Sequence, residues 1–367
     1  MELVRCLVGS GTLATMALVG ALGVTHPRVL AAADPPWQPP PCGEARAGDA
    51  STAAGSGTAW YRLDLVLDEG GSLAGQRLTV GLVGGPARHL DLAPESFASG
   101  PAGGVVLVGD DDGAETRLRV LDVARGCATA VGREAEAVVR GALLAPDGST
   151  VWEHRVNRVT RADEGVWRRP VAGGPSARVL PGLPANGRFG PTFVTELSWA
   201  ADGRLGVSSC GERACRTRVM DPATGRVDAF EGTGPLVGVN GDRALAHGAC
   251  AGLPCPIEEI DLRTGRRSVL VEEAGLASVD GSGAGSLVFE TAAGQLAVLD
   301  LGSGRRSHVT ADAGLLPVRQ TSAATSGAET PGGAVLVAPR GRVGQPSAAQ
   351  HVDPATHAAV SLGEVLK

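Results

Sequence analysis

A short turn motif recurs along most of this chain and constrains its fold more than any other feature. The motif reads Asp-x-x-Thr/Ser-Gly-Arg at residues 221–226, 261–266 and 300–305, and weaker copies start at Asp122 and Asp353. An Asp side chain can accept hydrogen bonds from backbone amides two residues on, and Gly supplies the positive φ of a tight hairpin. Each copy lies between two short apolar runs, so the motif predicts β-hairpins.

The spacing of these turns predicts the architecture. Two Gly-Gly-Pro turns, at 84–86 and 173–175, complete a series of seven units of about 40–50 residues. No helical periodicity runs through them, and 54 Gly in 367 residues argue against the alternative, a helical repeat array. We therefore predict an all-β chain that forms a single β-propeller of seven four-stranded blades, with six or eight blades as alternatives.

The strands of the fourth and fifth units can be placed from their apolar runs. The predicted strands are 193–199, 205–209, 216–220 and 227–230 in the fourth unit, and 236–239, 243–246, 257–260 and 268–271 in the fifth. No unit can bury both faces of so small a sheet by itself, so neighbouring blades must stack.

The repeat region resembles a known group of propellers. Two segments look like the Ser-Pro-Asp-Gly signature of secreted WD40-like, TolB-type repeats: Ala145-Pro146-Asp147-Gly148-Ser149-Thr150-Val151-Trp152 and, more loosely, Trp199-Ala200-Ala201-Asp202-Gly203-Arg204-Leu205. The resemblance implies the propeller fold, with these segments at the turn between the first and second strands of a blade. It also implies a protein that binds other molecules.

The amino terminus predicts export. Residues 1–33 have the pattern of a secretory signal peptide, with Arg5 before an apolar run at 7–24 and small residues at the predicted cleavage site. The alternative is an uncleaved membrane anchor. Residues 34–57 form a Pro-rich leader and 58–367 the propeller domain. We expect a secreted or extracytoplasmic, cell-envelope-associated protein that is not embedded in the membrane unless the signal stays uncleaved.

Six cysteines follow the signal segment, and an even number in an exported chain predicts disulfides. Two Cys-x4-Cys pairs occupy equivalent hairpins in neighbouring units, where cross-strand partners lie close enough to bond. The third pair is left by subtraction. The predicted disulfides are Cys210–Cys215, Cys250–Cys255 and Cys42–Cys127. A four-thiolate zinc site formed by Cys210, Cys215, Cys250 and Cys255 is the alternative.

Two further groups of side chains are candidates for binding. Arg155, Arg158 and Arg161 recur in the longest predicted loop between second and third strands, and Arg188 follows in another long loop; together they could receive an acidic group. A solvated charged loop, with Asp163 and Glu164 near the three arginines, is the favoured alternative. Asp110, Asp112 and Glu115 surround a Gly turn and are a weak calcium candidate, and a solvated hairpin tip is the favoured interpretation. No other metal and no cofactor is expected.

Some single residues have a structural interpretation. Trp152, Trp167 and Trp199 lie on predicted strands, where packing between blades is expected rather than a platform for sugars. His247 ends a predicted strand and is expected to be structural.

Charge narrows the range of functions. The formal net charge is −6 and Lys367 is the single lysine, which argues against nucleic-acid binding and excludes chemistry that needs an internal lysine. Two classes stay open. The first is a monomeric, non-catalytic propeller that binds a protein, peptide or cell-envelope ligand on its long-loop face. The second is a propeller enzyme, of the lyase or calcium-dependent lactonase or hydrolase type, with a site at the central channel.

Overall fold

Every regular element in the described part of the chain is a β-strand. The computed structural model describes residues 36–43, 59–68, 72–82, 86–99, 104–183, 192–200, 203–211, 215–248, 254–279, 285–308, 320–321, 335–337, 348–352 and 359–364. Among those residues there is no helix that could cross a membrane. The predicted signal segment, residues 1–33, lies outside the described residues.

The strands are numbered in chain order. They are β1 (Ala59–Leu67), β2 (Leu73–Leu82), β3 (Arg88–Leu92), β4 (Phe97–Ser99), β5 (Val105–Asp111), β6 (Thr116–Asp122), β7 (Cys127–Glu134), β8 (Ala137–Leu144), β9 (Thr150–Asn157), β10 (Asp163–Pro170), β11 (Ala177–Leu180), β12 (Thr192–Trp199), β13 (Leu205–Gly211), β14 (Cys215–Met220), β15 (Val227–Thr233), β16 (Leu236–Asn240), β17 (Arg243–His247), β18 (Cys255–Asp261), β19 (Arg267–Val279), β20 (Ser286–Thr291), β21 (Leu296–Asp300), β22 (Arg306–His308), β23 (Gln320–Thr321), β24 (Val335–Val337), β25 (Ala348–Val352) and β26 (Ala359–Glu364).

Three sheets are antiparallel meanders of four consecutive strands, as a propeller blade requires. They contain β4 to β7, β8 to β11 and β12 to β15. We call them blades 2, 3 and 4. The strands of blade 4 begin within a residue of the predicted positions, because each apolar run starts directly after a turn that the sequence marks.

The next sheet has seven strands, β16 to β22, because one long strand serves two units. The first half of β19 pairs with β18, as in Arg267 opposite Ile260, and its second half pairs with β20, as in Ala277 opposite Phe289. The register of the β19–β20 pairing shifts between Ala274 and Ala277. The predicted fifth and sixth units are therefore present but joined by hydrogen bonds through β19.

One of the remaining sheets joins the start of the propeller region to a strand far along the chain. β23 pairs with β1, with Gln320 opposite Trp60 and Thr321 opposite Ala59, so that blade 1 has the order β23-β1-β2-β3. A ring of blades must close in this way, because an unpaired terminal sheet would leave an open edge. β24, β25 and β26 form a separate three-stranded sheet. The count of seven blades stays a prediction.

The recurring turns have the structure that the motif predicts. In the turn at 221–226, the Asp221 carboxylate accepts hydrogen bonds from the amides of Ala223 and Thr224, and the amide of Gly225 donates to the Asp221 carbonyl. Gly225 has a φ of 72°, and the equivalent Gly265 and Gly304 have 71° and 70°. Positive φ is the conformation in which a side chain would be strained.

Hydrophobic clusters lie between neighbouring sheets rather than inside one of them. Val106 and Val108 of β5 pack with the strands of blade 1, whereas Leu107, between them, packs with blade 3. This alternation follows from the pleat of a strand, which turns successive side chains to opposite faces. Blades 2, 3 and 4 each share clusters with the sheets on both sides, so the core extends from sheet to sheet.

The predicted packing role of two tryptophans is confirmed at the interface of blades 3 and 4. The rings of Trp152 and Trp199 meet edge to face, with centroids 5.9 Å apart. The indole N–H of Trp199 donates to the Leu144 carbonyl of blade 3 at 2.8 Å. Both rings belong to or contact the cluster shared by the two blades.

The Pro-rich leader lies along the outer strands of blades 1 and 2. The amide of Trp37 donates to the carbonyl of His89, and Pro41 bridges in parallel to Ala128. A disulfide then joins Cys42 to Cys127 at the start of β7. The leader thereby covers an edge that would otherwise expose unpaired backbone groups.

Candidate functional site

One loop of blade 3, residues 157–162, joins β9 to β10 and is fixed by its own side chains. The Asn157 side-chain oxygen accepts hydrogen bonds from the amides of Val159 and Thr160, and the amide of Arg161 donates to the Asn157 carbonyl. We call this segment the blade-3 loop. These backbone groups find partners within the loop, and the Arg158 amide donates to the Glu136 carbonyl, so the shape of the loop does not depend on a ligand.

Arg158 fastens the blade-3 loop to blade 2. Its two terminal nitrogens donate to the two carboxylate oxygens of Asp111, at 3.0 and 2.9 Å, and one of them also donates to the Gly113 carbonyl. The Asp111 side chain is almost fully buried. Such a two-pronged pair fixes both position and orientation of the guanidinium, so Arg158 acts as a clamp between neighbouring blades.

The electrostatics of Asp111 reflect that clamp. Burial by itself raises the pKa of this carboxyl group. The hydrogen bonds from Arg158, from the Thr116 hydroxyl and from the Gly113 amide outweigh burial and hold the pKa of Asp111 below its ordinary value of 3.8. Asp111 is therefore charged at neutral pH and neutralises Arg158 inside the protein.

The structure corrects the predicted position of Arg155. We expected this residue in the loop, but it lies inside β9 and is only 4% exposed. Its guanidinium pairs with Glu134 at 2.8 Å and with Glu153 at 2.9 Å, and it lies over the ring of Trp167. Arg169 completes the network by pairing with the same two carboxylates. β9 extends further than the sequence predicts. Arg155 can be buried in this strand because the charges of the two arginines and the two carboxylates neutralise one another.

Arg161 is the member of the predicted arginine trio that faces solvent. It has a φ of 59°, the one positive value among the described non-glycine residues. Its neighbour Val159 is 89% exposed. In the part of the chain described here, no ion pair of Arg161 occurs. Both residues are exposed in the blade-3 loop. Arg188 lies outside the described residues.

The carboxylates of the calcium candidate pair with an arginine and accept hydrogen bonds from backbone amides and a hydroxyl. Asp112 caps the amides of Ala114 and Glu115 and pairs with Arg117 at 2.6 Å, and Glu115 also pairs with Arg117 at 2.6 Å. Asp110 accepts hydrogen bonds from the Ala93 amide and the Ser96 hydroxyl. The described ranges contain no group of three or more side chains placed to hold a metal ion. The arrangement corresponds to the hairpin-tip interpretation.

The cysteines form cross-strand links. Cys210 lies directly opposite Cys215 in the β13–β14 pair and is bonded to it. Cys255 is disulfide-bonded as well, while its predicted partner Cys250 lies outside the described residues. Together with Cys42–Cys127, these bonds indicate an extracytoplasmic protein, since disulfides persist in oxidising compartments.

A polar cluster that the sequence did not reveal lies between blades 3 and 4. His154 Nε2 is 3.0 Å from Asp163 Oδ1, and both side chains are at least 97% buried. Arg218, on β14, donates to the Pro181 carbonyl and to the Ser209 hydroxyl. No sequence motif marks this cluster, because its members come from separate strands. Its burial separates it from solvent and gives it a structural role.

The opposite end of the same blade interface contains an open cleft of about 300 Å³. Trp152 and Trp199 line it, together with Arg168 of β10 and residues of the turns that precede β9 and follow β12 and β14. Arg168 is exposed and lies beside Trp152 in the register of β9 and β10. The part of the chain that the structure describes offers Arg168 no acidic partner. We call this region the tryptophan cleft.

Comparison with solved structures decides the fold class. The chain is similar to puromycin hydrolase, at 14% identity and a TM-score of 0.54, over 89% of this chain and 56% of that one. It is also similar to an oligogalacturonate lyase in complex with manganese, at 12% identity and a TM-score of 0.51, over 83% and 85% of the two chains. This chain is a β-propeller.

A third similar structure is TolB from Acinetobacter baumannii, at 13% identity and a TM-score of 0.47, over 69% of this chain and 63% of that one. The propeller thus spans less than two thirds of TolB and little more than half of puromycin hydrolase. At identities this low the likeness shows the fold alone. No protein-family model and no curated protein sequence matches the chain.

Proposed function

We propose that this chain is an exported, non-catalytic propeller that binds a protein, peptide or cell-envelope ligand on the face that carries its long loops. The observation that carries the proposal is the tip of the blade-3 loop. It presents an apolar and a cationic side chain, Val159 and Arg161, on a backbone that is already ordered. A loop that is rigid before binding loses little conformational entropy when a partner docks.

The conformation of Arg161 supports a role in recognition. A side chain at positive φ costs on the order of 1 kcal/mol relative to Gly, which many turns of this chain use instead. A single exposed valine is ordinary on a protein surface. Here Val159 lies two residues before a strained arginine in the same loop, and the Arg158 clamp and the Asn157 cap fix the shape of that loop. An arginine at a position that favours Gly supports the proposal that its guanidinium contacts a partner.

The chemistry of the tip indicates the partner. Arg155 and Arg158 are neutralised inside the protein, so they do not add to the charge that a partner meets. Arg161 offers one guanidinium to a carboxylate or phosphate, and Val159 offers a small apolar contact next to it. A partner surface with an acidic group beside a shallow apolar depression fits this tip.

The test uses the wild-type protein immobilised in parallel with two loop variants, Val159→Ser and Arg161→Gly. Each is incubated with a solubilised cell-envelope extract, and the retained proteins and polymers are quantified. We expect retention of the same specific ligand to fall at least about threefold in each loop variant, the size of one surface contact. The melting temperature of Arg161→Gly should be unchanged or higher, because Gly relieves the positive φ.

Two variants at the opposite end of the blades serve as controls, Arg226→Ser and Arg266→Ser in the recurring turns. Each control variant removes one positive charge, as Arg161→Gly does, and should retain the ligand as the wild type does. Retention that survives both loop changes but is lost in the turn variants would show that the recognition face is the other one.

A further inference from the structure

The tryptophan cleft lies at the turn end of blades 3 and 4, away from the blade-3 loop, and the proposed function makes no use of it. Its volume of about 300 Å³ is at the lower limit of small-molecule sites. It is therefore large enough for one terminal residue of a longer ligand rather than for a whole cofactor. We infer that it binds the carboxyl-terminal residue of a peptide, taking its carboxylate on Arg168 and its apolar side chain against the tryptophans.

The charge in the cleft comes from Arg168. Arg169, its neighbour in sequence, points to the other face of β10 and is used in the buried network with Glu134 and Glu153. Arg168 lines the cleft and forms no ion pair within the described residues. A guanidinium at the wall of a partly enclosed cleft can bind a carboxylate through two parallel hydrogen bonds.

The floor of the cleft favours an apolar side chain over a sugar ring. Trp152 is only 5% exposed, and Trp199 is fixed edge to face against it by the hydrogen bond to Leu144. Sugars stack on an open ring face, which this perpendicular pair does not offer through Trp152. Ala145 and two prolines, Pro146 and Pro222, line the rest of the apolar wall.

One further polar group fits a peptide. The exposed carboxylate of Asp147 lines the cleft and accepts hydrogen bonds from the amide and hydroxyl of Ser149 at 3.0 and 2.8 Å. A carboxylate has more acceptor positions than these two donors fill. A peptide end carries a backbone N–H beside its carboxylate, so Asp147 and Arg168 complement the two groups, whereas a simple carboxylic acid would use Arg168 alone.

The experiment titrates the full-length protein with N-acetylphenylalanine, which has a free carboxylate, and with its uncharged amide. Binding is followed by calorimetry and by the indole N–H resonances of the tryptophans. We expect the acid to bind about three- to tenfold more tightly than the amide, the range for a charge-assisted hydrogen bond that is partly solvated. The resonances of Trp152 and Trp199 should shift, and that of Trp167, which lies under Arg155, should not.

Matched variants assign the effect to the cleft. Arg168→Gln should remove the preference for the acid while the amide binds as before. Arg178→Gln changes an equally exposed arginine on the neighbouring strand β11, outside the cleft lining, and should behave as the wild type. The inference is overturned if the acid and the amide bind equally, if Arg178→Gln has the same effect as Arg168→Gln, or if glucuronic acid binds in place of the acetylated amino acid.

Discussion

At the scale of single residues, the charged groups of this propeller fall into two kinds with different environments. Arg155, Arg158 and Arg169 form ion pairs with buried carboxylates. These ion pairs connect neighbouring strands and blades. Arg161 and Arg168 are exposed and have no acidic partner in the described ranges. A buried charge is stable only when it is paired, so the first kind supports the fold and the second kind is available to ligands.

Removing the clamp tests this distinction. Arg158→Ala leaves the buried carboxylate of Asp111 without its partner, which should lower the free energy of unfolding by about 3 kcal/mol. Arg161→Ala, three residues on in the same loop, should change it by less than about 0.5 kcal/mol. Urea denaturation at neutral pH measures both. Equal losses in the two variants would mean that Arg158 is a surface residue like Arg161.

His247 makes stability depend on pH. It ends β17 and is 9% exposed, and burial lowers its pKa from 6.5 to about 4. Between pH 6.5 and 4 the unfolded chain therefore binds a proton that the folded protein does not. Stability is complete above pH 6.5 and falls as the pH drops towards 4, by on the order of 3 kcal/mol.

The pH prediction is measured by urea denaturation of the wild type and of His247→Gln at pH 7.5 and pH 4.5. The loss of stability between the two values should be clearly smaller in the variant, because Gln does not titrate. A loss of the same size in both proteins would assign the pH dependence to titratable groups other than His247. Asp111 and Asp163 are not such groups, because their pKa values are lowered from 3.8 and they titrate only at more acidic pH.

At the scale of elements, the hairpins contain the repeated turn motif, and one of them is also closed by a disulfide. The Cys210–Cys215 link closes the β13–β14 hairpin over a separation of five residues, whereas Cys42–Cys127 spans 85. In the chain-entropy view, a disulfide stabilises the fold by restricting the unfolded chain, and the restriction grows with the loop that it closes. The longer link also attaches the leader to the outer edge of blade 2.

The two links should therefore differ in their effect on stability. Replacing both cysteines of the 42–127 pair with serine should cost about 4 kcal/mol, against about 2 kcal/mol for the 210–215 pair. Chemical denaturation without reductant compares the two double variants with the wild type. If the 210–215 variant loses as much as the 42–127 variant, the local geometry of the hairpin outweighs loop entropy.

At the scale of the whole molecule, blade 1 is completed by a strand from far along the chain. β1 pairs with β23 across more than 250 residues, so that folding of the first blade depends on the last part of the propeller region. Contacts between residues this distant form late, because their loop-closure entropy must be overcome first. The β1–β23 pairing covers an edge of β1 that would otherwise be open and favour aggregation.

Two truncated chains test which segment closes the ring. A chain that ends at residue 318 lacks β23 and should melt at a clearly lower temperature and aggregate. A chain that ends at residue 334 keeps β23 but lacks β24 to β26, and it should melt close to the full-length protein if β23 is sufficient for closure. Equal destabilisation of both chains would make the three-stranded sheet a blade of the ring, as the seven-unit count predicts.

The sequence by itself determined the all-β class, the hairpin positions and the Cys210–Cys215 pair, because these depend on local chemistry. An Asp with a following Gly builds its turn within six residues, and two cysteines on one hairpin meet whatever surrounds them. The tertiary structure decided which charges are free. Asp111 is 47 residues from Arg158 in the chain, and only the stacking of blades brings them together. The tryptophan cleft likewise exists only where two blades meet, so no spacing in the sequence could reveal it.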